Sequence, residues 1–305
     1  MGLFNEKTHW IFLLSCANNE PEERHIQDIV FGVSCLQTKN IKKQNVTIII
    51  DSNAEIKDSN WYVYLKSRYS INSIRDMNSL AENNSYDNLV LFVTGHGGIE
   101  GIPANPSISP FILLEWLKHT KGLKRSVVYL GQCYAGIFNY MPVWQEKDEL
   151  GEVISPEIVI IGATSLFSSI SSSMTEEVHQ GKDLVEMTWI ANLFLYYIFY
   201  WLKEPFDVDG DGKYTVADSY KFSGAHTNNY LVSSKCKIFH ELINISNRIR
   251  EIDKTLNIEK DVGKLLIFKM LKNIKERDFL QKSDIHFTHQ EPWILDSIPA
   301  QSIEF

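Results

Sequence analysis

The first two-thirds of the chain alternate between short apolar segments and segments with helical periodicity. A stretch at about 22–38 carries apolar residues three and four positions apart, which predicts an amphipathic helix. Pro110 opens another predicted helix, which ends at Gly122. Apolar strands that alternate with helices are typical of an α/β fold, in which helices cover both faces of a mostly parallel sheet. The predicted strands span residues 9–15, 46–51, 88–95, 126–132 and 157–165.

The C-terminal region follows a different pattern. Residues 236–283 predict two amphipathic helices divided near Asn257, with 11 Lys and Arg against 7 Asp and Glu. This pattern fits a solvated helical hairpin packed on the core, or a surface that binds a regulatory protein partner or an anionic group. We therefore expect a core over residues 1–235, a helical insertion or appendage over 236–283, and a segment over 284–305 that returns to the core.

Composition narrows the class of protein. The 305 residues are 44% hydrophobic and 22% charged, as in globular proteins, and the net charge of −8 argues against a nucleic-acid partner. The four cysteines form no Cys-x-x-Cys pair, which favours a reducing, cytoplasmic compartment. The apolar run 189–202 is shorter than the ~18 residues that a membrane span requires, so we predict a buried helix there. The apolar run at 10–14 is too brief to predict a signal peptide.

Two residues at predicted strand ends suggest chemistry. His96 follows the third strand and Cys133 follows the fourth. Ligands and reactions of parallel sheets lie beyond the carboxyl ends of the strands, so both side chains are expected at one edge. A cysteine nucleophile reacts as the thiolate and needs a neighbouring imidazole to handle its proton. The backbone amides of Gly97 and Cys133 could then stabilise a tetrahedral oxyanion.

These motifs, LVLFVTGHGG and SVVYLGQCYAG, resemble those of the clan CD cysteine peptidases, which include caspases and legumains. The family signature is an apolar block with His-Gly, then a second apolar block with the nucleophilic cysteine. The 37 positions from His96 to Cys133 are fewer than the ~50 of caspases, which favours a legumain-like or bacterial caspase-like member. The resemblance implies a three-layer α/β/α caspase-like sandwich with strand order 2-1-3-4-5 and a late extra strand.

The resemblance also implies residues of the S1 pocket, which holds the side chain preceding the scissile bond. Arg24 and His25 match an Arg-His pair whose arginine lines S1, and Ser165 lies in a stretch that forms another wall. An arginine there would favour Asp or Asn at P1. Alternatively, Arg24 forms a surface salt bridge with Glu20 or Asp28. Gln132 either lines the pocket or caps its strand.

The segment DVDGDGKYTVAD, residues 207–218, matches an EF-hand-like calcium loop. Acidic residues fall at loop positions one, three and five, and Gly212 falls at position six, where the turn is sharp. The shorter Asp218 replaces the usual glutamate at position twelve. A Ca²⁺ site is predicted, and the alternative is an acidic turn. The predicted ligands are Asp207, Asp209, Asp211, Lys213 (through its carbonyl), Thr215 and Asp218.

Three functional hypotheses follow. The first is a cysteine endopeptidase that cleaves proteins or peptides through a Cys133–His96 dyad. The second is a calcium-binding, catalytically inactive interaction module with the same fold. The third is a transpeptidase or ligase, which would share the acyl-enzyme and differ in the nucleophile that resolves it.

Overall fold

A computed structural model of the protein describes residues 2–5, 7–16, 20–51, 59–287 and 290–305. Residues 17–19, beyond the carboxyl end of the first predicted strand, lie outside the described part of the chain, as do residues 288–289. The strands are β1 (Thr8–Ser15), β2 (Val46–Ile50), β3 (Ser70–Asn72), β4 (Asn88–Gly95), β5 (Arg125–Leu130), β6 (Glu157–Gly162), β7 (Ser171–Gln180), β8 (Asp183–Asn192) and β9 (Trp293–Leu295). The α-helices are α1 (Glu23–Thr38), α2 (Asn60–Lys66), α3 (Met77–Glu82), α4 (Pro110–Lys118), α5 (Leu193–Lys203), α6 (Val216–Ile258), α7 (Val262–Phe287) and α8 (Ser297–Ala300).

Seven strands form one sheet in the order β3-β2-β1-β4-β5-β6-β9. Six of them run parallel, and only β9 is antiparallel to its neighbour. The predicted three-layer α/β/α sandwich is confirmed, and so is the order of its five predicted strands with a late strand added beside the fifth. The short strand β3 was not predicted, because its three residues are too few to show a period.

Helices cover both faces of the sheet and enclose two apolar cores. On one face, Phe12 and Phe92 of the sheet contact Phe199 of α5, with ring centroids 5.8 and 5.0 Å apart. On the other face, Leu13 shares a buried cluster with Leu117 of α4. Alternate residues of each strand therefore enter opposite cores, which explains why the central strands are apolar throughout.

The segment after β6 differs from its prediction. Strands β7 and β8 form an antiparallel hairpin, and β8 continues to Asn192. The prediction of one helix over 189–202 is therefore wrong for its first four residues. The side chain of Asn192 accepts a hydrogen bond from the amide of Leu195 at 3.0 Å and caps α5. A strand that runs directly into a capped helix leaves a continuous apolar run, so hydropathy alone does not reveal the boundary.

Residues 228–289 form a second compact unit, made of the later part of α6 and of α7. The break between the two helices falls at residues 259–261, close to the predicted division, but α6 begins at Val216, well before residue 236. Within this unit, Lys272 pairs with Asp253 and Lys282 pairs with Glu241. No helix in the described part of the chain is both long enough and apolar enough to cross a membrane.

Candidate active site

The backbone that follows β4 lies against the backbone that follows β5. A Cβ built on Gly97 would overlap the carbonyl oxygen of Cys133 and would press on the side chain of Gln132. Glycine is therefore required at position 97 by the close approach of the two segments. The contact brings the His96–Gly97 turn and the Cys133 turn together at the carboxyl edge of the sheet. His96 and Cys133 are both half-buried, so solvent and a substrate can reach them.

The loop after β6 lies against Cys133. The backbone amide of Ser169 donates a hydrogen bond to the Cys133 sulfur at 3.3 Å. The amide of Tyr134, whose φ of 56° is left-handed, donates to the carbonyl of Phe167 at 2.8 Å. Because Tyr134 is not a glycine, its left-handed backbone is a strained conformation that the neighbouring loop holds in place.

Two buried amide side chains fix the position of Ser169. Gln290 is fully buried, accepts from the Ile170 amide at 2.8 Å and donates to the Ser169 hydroxyl at 3.4 Å. Asn192 donates to the same hydroxyl at 3.2 Å and to the Gly131 carbonyl at 2.6 Å. The loop that contacts Cys133 is thus anchored both to the end of β5 and to the segment before β9.

His96 is held by a carboxylate that the sequence analysis did not single out. Its Nε2 lies 2.9 Å from Oε1 of Glu22, directly before α1. The other oxygen, Oε2, accepts a hydrogen bond from Arg24 Nε at 2.6 Å. This bond is the main cause that lowers the pKa of Glu22, and the charges of Arg24, His25 and His96 act in the same direction. Glu22 is therefore an anion at neutral pH, positioned to orient the imidazole of His96.

His25 lies behind this pair, with its ring edge-on to the ring of His96 at a centroid distance of 5.7 Å. It is 5% exposed, and its Nδ1 lies 3.4 Å from the Thr94 hydroxyl and 3.7 Å from Asp28. The Thr94 hydroxyl donates its only proton to Asp28 at 2.9 Å, so it can only accept from His25. This network assigns a donated proton to His25 Nδ1. Within the described residues, His25 Nε2 has no hydrogen-bond partner.

Asp28 joins three elements around this site. It is 3% exposed and, besides Thr94 of β4, it accepts from the indole of Trp189 at 2.9 Å and from the amide of Asn192 at 3.2 Å. Asp28, which lies in α1, therefore links this helix to β4 and to the end of β8. It does not pair with Arg24, so the predicted salt bridge between them is absent; the partner of Arg24 is Glu22.

Among the described residues, neither of the two amides that were predicted to bind an oxyanion, those of Gly97 and Cys133, donates to a protein acceptor. Backbone amides without a protein acceptor are the kind of donor that can bind a developing oxyanion.

The three predicted S1 residues take different positions. Arg24 has a one-third exposed side chain and reaches Ser171 at 3.4 Å, beside the loop that contacts Cys133. Ser165 is half-buried, and its backbone packs on Gly136 and accepts from the Gly136 amide at 3.1 Å. Gln132 is 1% exposed, so it does not line an open pocket, and neither of its amide atoms has a partner in the described part of the chain.

The other cysteines differ from Cys133. Cys16 also lies at a strand end, but it is 2% exposed, and burial raises its pKa to about 12. Cys35 is buried inside α1, and burial likewise raises its pKa. Thiols with raised pKa values are poor nucleophiles at neutral pH. Cys236 is exposed in α6.

In the loop 207–218, three carboxylates converge. Oxygens of Asp207, Asp209 and Asp211 lie within 4.8 Å of one another. Asp207 accepts from the amides of Gly210 and Gly212 at 2.7 and 2.8 Å. Both glycines have positive φ, 79° and 83°, which is why the sharp turn requires them.

Asp218 takes a different role from the predicted ligand. It is fully buried, accepts from the amides of Val208 and Thr215 at 3.0 and 2.9 Å, and its own amide donates to the Thr215 hydroxyl at 3.2 Å. The reciprocal bonds with Thr215 form a capping box at the start of α6. Asp218 lies outside the cluster of three carboxylates, and Lys213 is exposed, with its amide donating to Asp211 at 2.9 Å.

Comparison with protein-family models and with curated proteins finds no match for this chain. The chemistry of the site therefore has to be argued from its own geometry. The sequence analysis missed the supporting residues, which are Glu22, Asp28, Ser169, Asn192 and Gln290. Glu22 was visible in the sequence two positions before Arg24, but nothing in the pattern indicated that its side chain would contact His96.

Proposed function

We propose that the protein is a cysteine endopeptidase of the caspase and legumain type, with Cys133 as nucleophile and His96 as its proton-transfer partner. The observation that carries the proposal is the contact of Gly97 with the Cys133 carbonyl, which puts the two turns together. The Glu22–His96 bond and the Ser169 amide on the sulfur support it. A nucleophile with a base that is oriented by a third group is the usual arrangement for such catalysis.

The reaction would proceed through an acyl-enzyme. The Cys133 thiolate adds to the scissile carbonyl carbon, and the amides of Gly97 and Cys133 donate to the resulting oxyanion. As the C–N bond breaks, His96 gives a proton to the leaving amine. Water then adds to the thioester, His96 takes its proton, and the C–S bond breaks to release the carboxylate product. Glu22 holds Nε2 throughout, which leaves Nδ1 for these transfers.

Arg24 is the basis of the proposed preference for Asp or Asn at P1. Its Nε is engaged by Glu22, while the terminal nitrogen directed at Ser171 is weakly engaged at 3.4 Å. A P1 carboxylate or carboxamide could replace the Ser171 contact without breaking the Glu22 pair. Arginine is suited to this role because it presents several donors in one plane.

We also propose that the loop 207–218 binds Ca²⁺. Asp207, Asp209 and Asp211 fit a hard divalent cation, since their oxygens already converge. Bound there, the ion would offset two of the three negative charges and stabilise the start of α6. Asp218 would contribute through the capping box, and Lys221, at 2.7 Å from Asp209, would compete with the ion for that carboxylate.

A protein partner on the C-terminal helices remains a proposal, supported by one stripe on α7. Its members are large apolar side chains that are 42–66% exposed, and a group of such side chains on a surface is typical of an interaction site. Sedimentation velocity over a range of concentrations, with Met270→Lys as the variant, tests whether a second copy covers the stripe. The stripe consists of Leu266, Ile267, Met270, Leu271 and Ile274.

A P1-scanning fluorogenic peptide library tests the central proposal. It is run on the wild type and on Cys133→Ala, each with calcium and with a chelator. Cleavage after Asp or Asn that the variant loses would support both the dyad and Arg24, whereas cleavage after Arg or Lys would refute the role of Arg24. If no peptide is cleaved, labelling of Cys133 by an acyloxymethyl ketone decides. An unlabelled thiol in a folded chain would contradict the proposal and favour the inactive calcium-binding module.

A further inference from the structure

The side chains of Glu22, His25 and His96 form a cluster that has the composition of a transition-metal site. One ligand atom from each lies within 4.8 Å of the others. Two imidazoles and a carboxylate are a common set for zinc and related ions, and distances of 2.0–2.2 Å to the ion require only a small inward shift. Glu22 can make this shift, since it is exposed and lies before the first turn of α1.

The buried member of the cluster is prepared to act as a ligand. His25 is 95% buried, its Nδ1 proton is directed at Thr94 and Asp28, and its Nε2 has no partner among the described residues. Metal-bound histidines characteristically donate their other ring N–H to a hydroxyl, carbonyl or carboxylate, which fixes the tautomer and the ring orientation. A buried ring nitrogen without a partner costs stability, and a metal ion would supply the missing partner.

We propose that Glu22, His25 and His96 bind a divalent cation of the zinc type, and that this cation inhibits the enzyme. Glu22 and His96 already face each other at 2.9 Å, so the ion would replace the proton between them. That proton leaves to solvent or moves to His96 Nδ1, and His96 Nε2 becomes a ligand. A water molecule completes the coordination. The inhibitory part rests on the proposed function, because it follows from the removal of His96 from proton transfer.

One neighbouring charge opposes the ion and sets an expected limit on affinity. Arg24 lies 2.6 Å from the second oxygen of Glu22 and would repel a cation. The site is also half-open to solvent at His96 and Glu22, so the ion can exchange. These features are those of a reversible inhibitory site and differ from a closed structural zinc site, in which four protein ligands surround the metal.

The test is a titration of the full-length Cys133→Ala chain, saturated with Ca²⁺, with Co²⁺ as a spectroscopic probe. The Cys133→Ala background removes the thiol as a ligand, and the calcium occupies the loop 207–218. We expect visible absorption bands of Co²⁺ bound to nitrogen ligands, displaced by Zn²⁺. His25→Gln should weaken binding at least about tenfold. His119→Gln, an exposed histidine that lies 3.5 Å from Glu115, is the matched control and should bind as the parent does.

If His25→Gln bound Co²⁺ as tightly as the parent does, the proposed metal site would be wrong. A calorimetric titration that detects no heat of Zn²⁺ binding would also contradict it. Circular dichroism checks that His25→Gln folds, and Glu22→Gln, at an exposed position, is the second variant if it does not. In the chain that retains Cys133, Zn²⁺ should slow labelling of the thiol by an acyloxymethyl ketone. The His25→Gln substitution should reduce this inhibition by Zn²⁺. Cobalt binding without any labelling would leave the metal site standing while the peptidase proposal fails.

Discussion

The carboxyl edge of the sheet and the loop 207–218 are built in opposite ways. The edge gathers Glu22, His96, Cys133 and Ser169 from four separate segments, whereas the loop supplies its three converging carboxylates from five consecutive positions. At the edge, the strand register places the groups and the loops orient them. In the loop, the turn itself places them, and the surroundings redirect only Asp218, which belongs to a capping box. The positions of the side chains at the edge therefore depend on packing between segments that are distant in sequence, whereas those in the loop depend on the local backbone conformation.

The largest expected effect follows from the contact that joins the segments of the edge. Gly97→Ala would place a methyl group on the Cys133 carbonyl, a backbone atom that cannot move aside cheaply. We expect peptidase activity to fall at least about a hundredfold, and the free energy of unfolding to fall by about 1–3 kcal/mol. Fluorogenic peptide assays and urea unfolding measure the two effects.

Gly210→Ala is the matched substitution in the loop, where open space surrounds the Cα. Its cost should come only from the positive φ, at about 1 kcal/mol, and activity should stay near that of the wild type. If Gly97→Ala were as active as Gly210→Ala, the close approach of the two turns would not be needed for the proposed activity.

The next effect concerns the orientation of His96. Glu22→Gln keeps the size of the side chain but removes the charge that stabilises the imidazolium, so kcat should fall about 10–100-fold with little change in KM. Steady-state kinetics with a cleaved peptide from the library give the two constants. Glu115→Gln, beside the exposed His119, is the control with the same pair of residue types.

A rise in KM with kcat unchanged would contradict the orienting role of Glu22. It would then act through Arg24 and the substrate pocket, since the same carboxylate holds that arginine at 2.6 Å. Unchanged kinetics would separate Glu22 from catalysis altogether.

The carboxyl edge of the sheet was harder to predict from the sequence than the loop 207–218, because its groups come from separate segments. The apolar blocks before His96 and Cys133 identify strand ends, and parallel strands bring their carboxyl ends to one edge, so the sheet order and the placement of these two residues at one edge could be predicted. Glu22 could not, because the start of α1 is placed by packing and no periodicity encodes its rotamer. Gln290 lies some 120 positions from the loop that it anchors, and a single sequence carries no signal for such a pairing. The hairpin β7–β8 was missed because its polar, half-exposed strands resemble a serine-rich loop.

A smaller effect separates the two roles of acidic residues in the loop. Asp218→Asn would leave one of the amides of Val208 and Thr215 without an acceptor in a buried place, so the free energy of unfolding should fall by about 1–3 kcal/mol. Asp211→Asn, at an exposed position, should change it by less than about 0.5 kcal/mol.

Urea unfolding in the presence of a chelator measures both variants without the contribution of the ion. Calcium titration by calorimetry then measures the binding role, and Asp211→Asn should bind Ca²⁺ at least several-fold more weakly. A strong loss of stability from Asp211→Asn, with none from Asp218→Asn, would reverse the assignment made from the hydrogen bonds.

The smallest effect is expected at Lys221, whose ammonium lies 2.7 Å from Asp209. The neighbouring carboxylates raise the pKa of Lys221, with the hydrogen bond to Asp209 as the largest cause, so the lysine is charged at neutral pH. Because the pair is exposed to solvent, Lys221→Met should change stability little in a chelator. It removes the cation that competes for Asp209, so Ca²⁺ should bind a few-fold more tightly. Weaker calcium binding by Lys221→Met would mean that the lysine organises the carboxylates for the ion and does not compete with it.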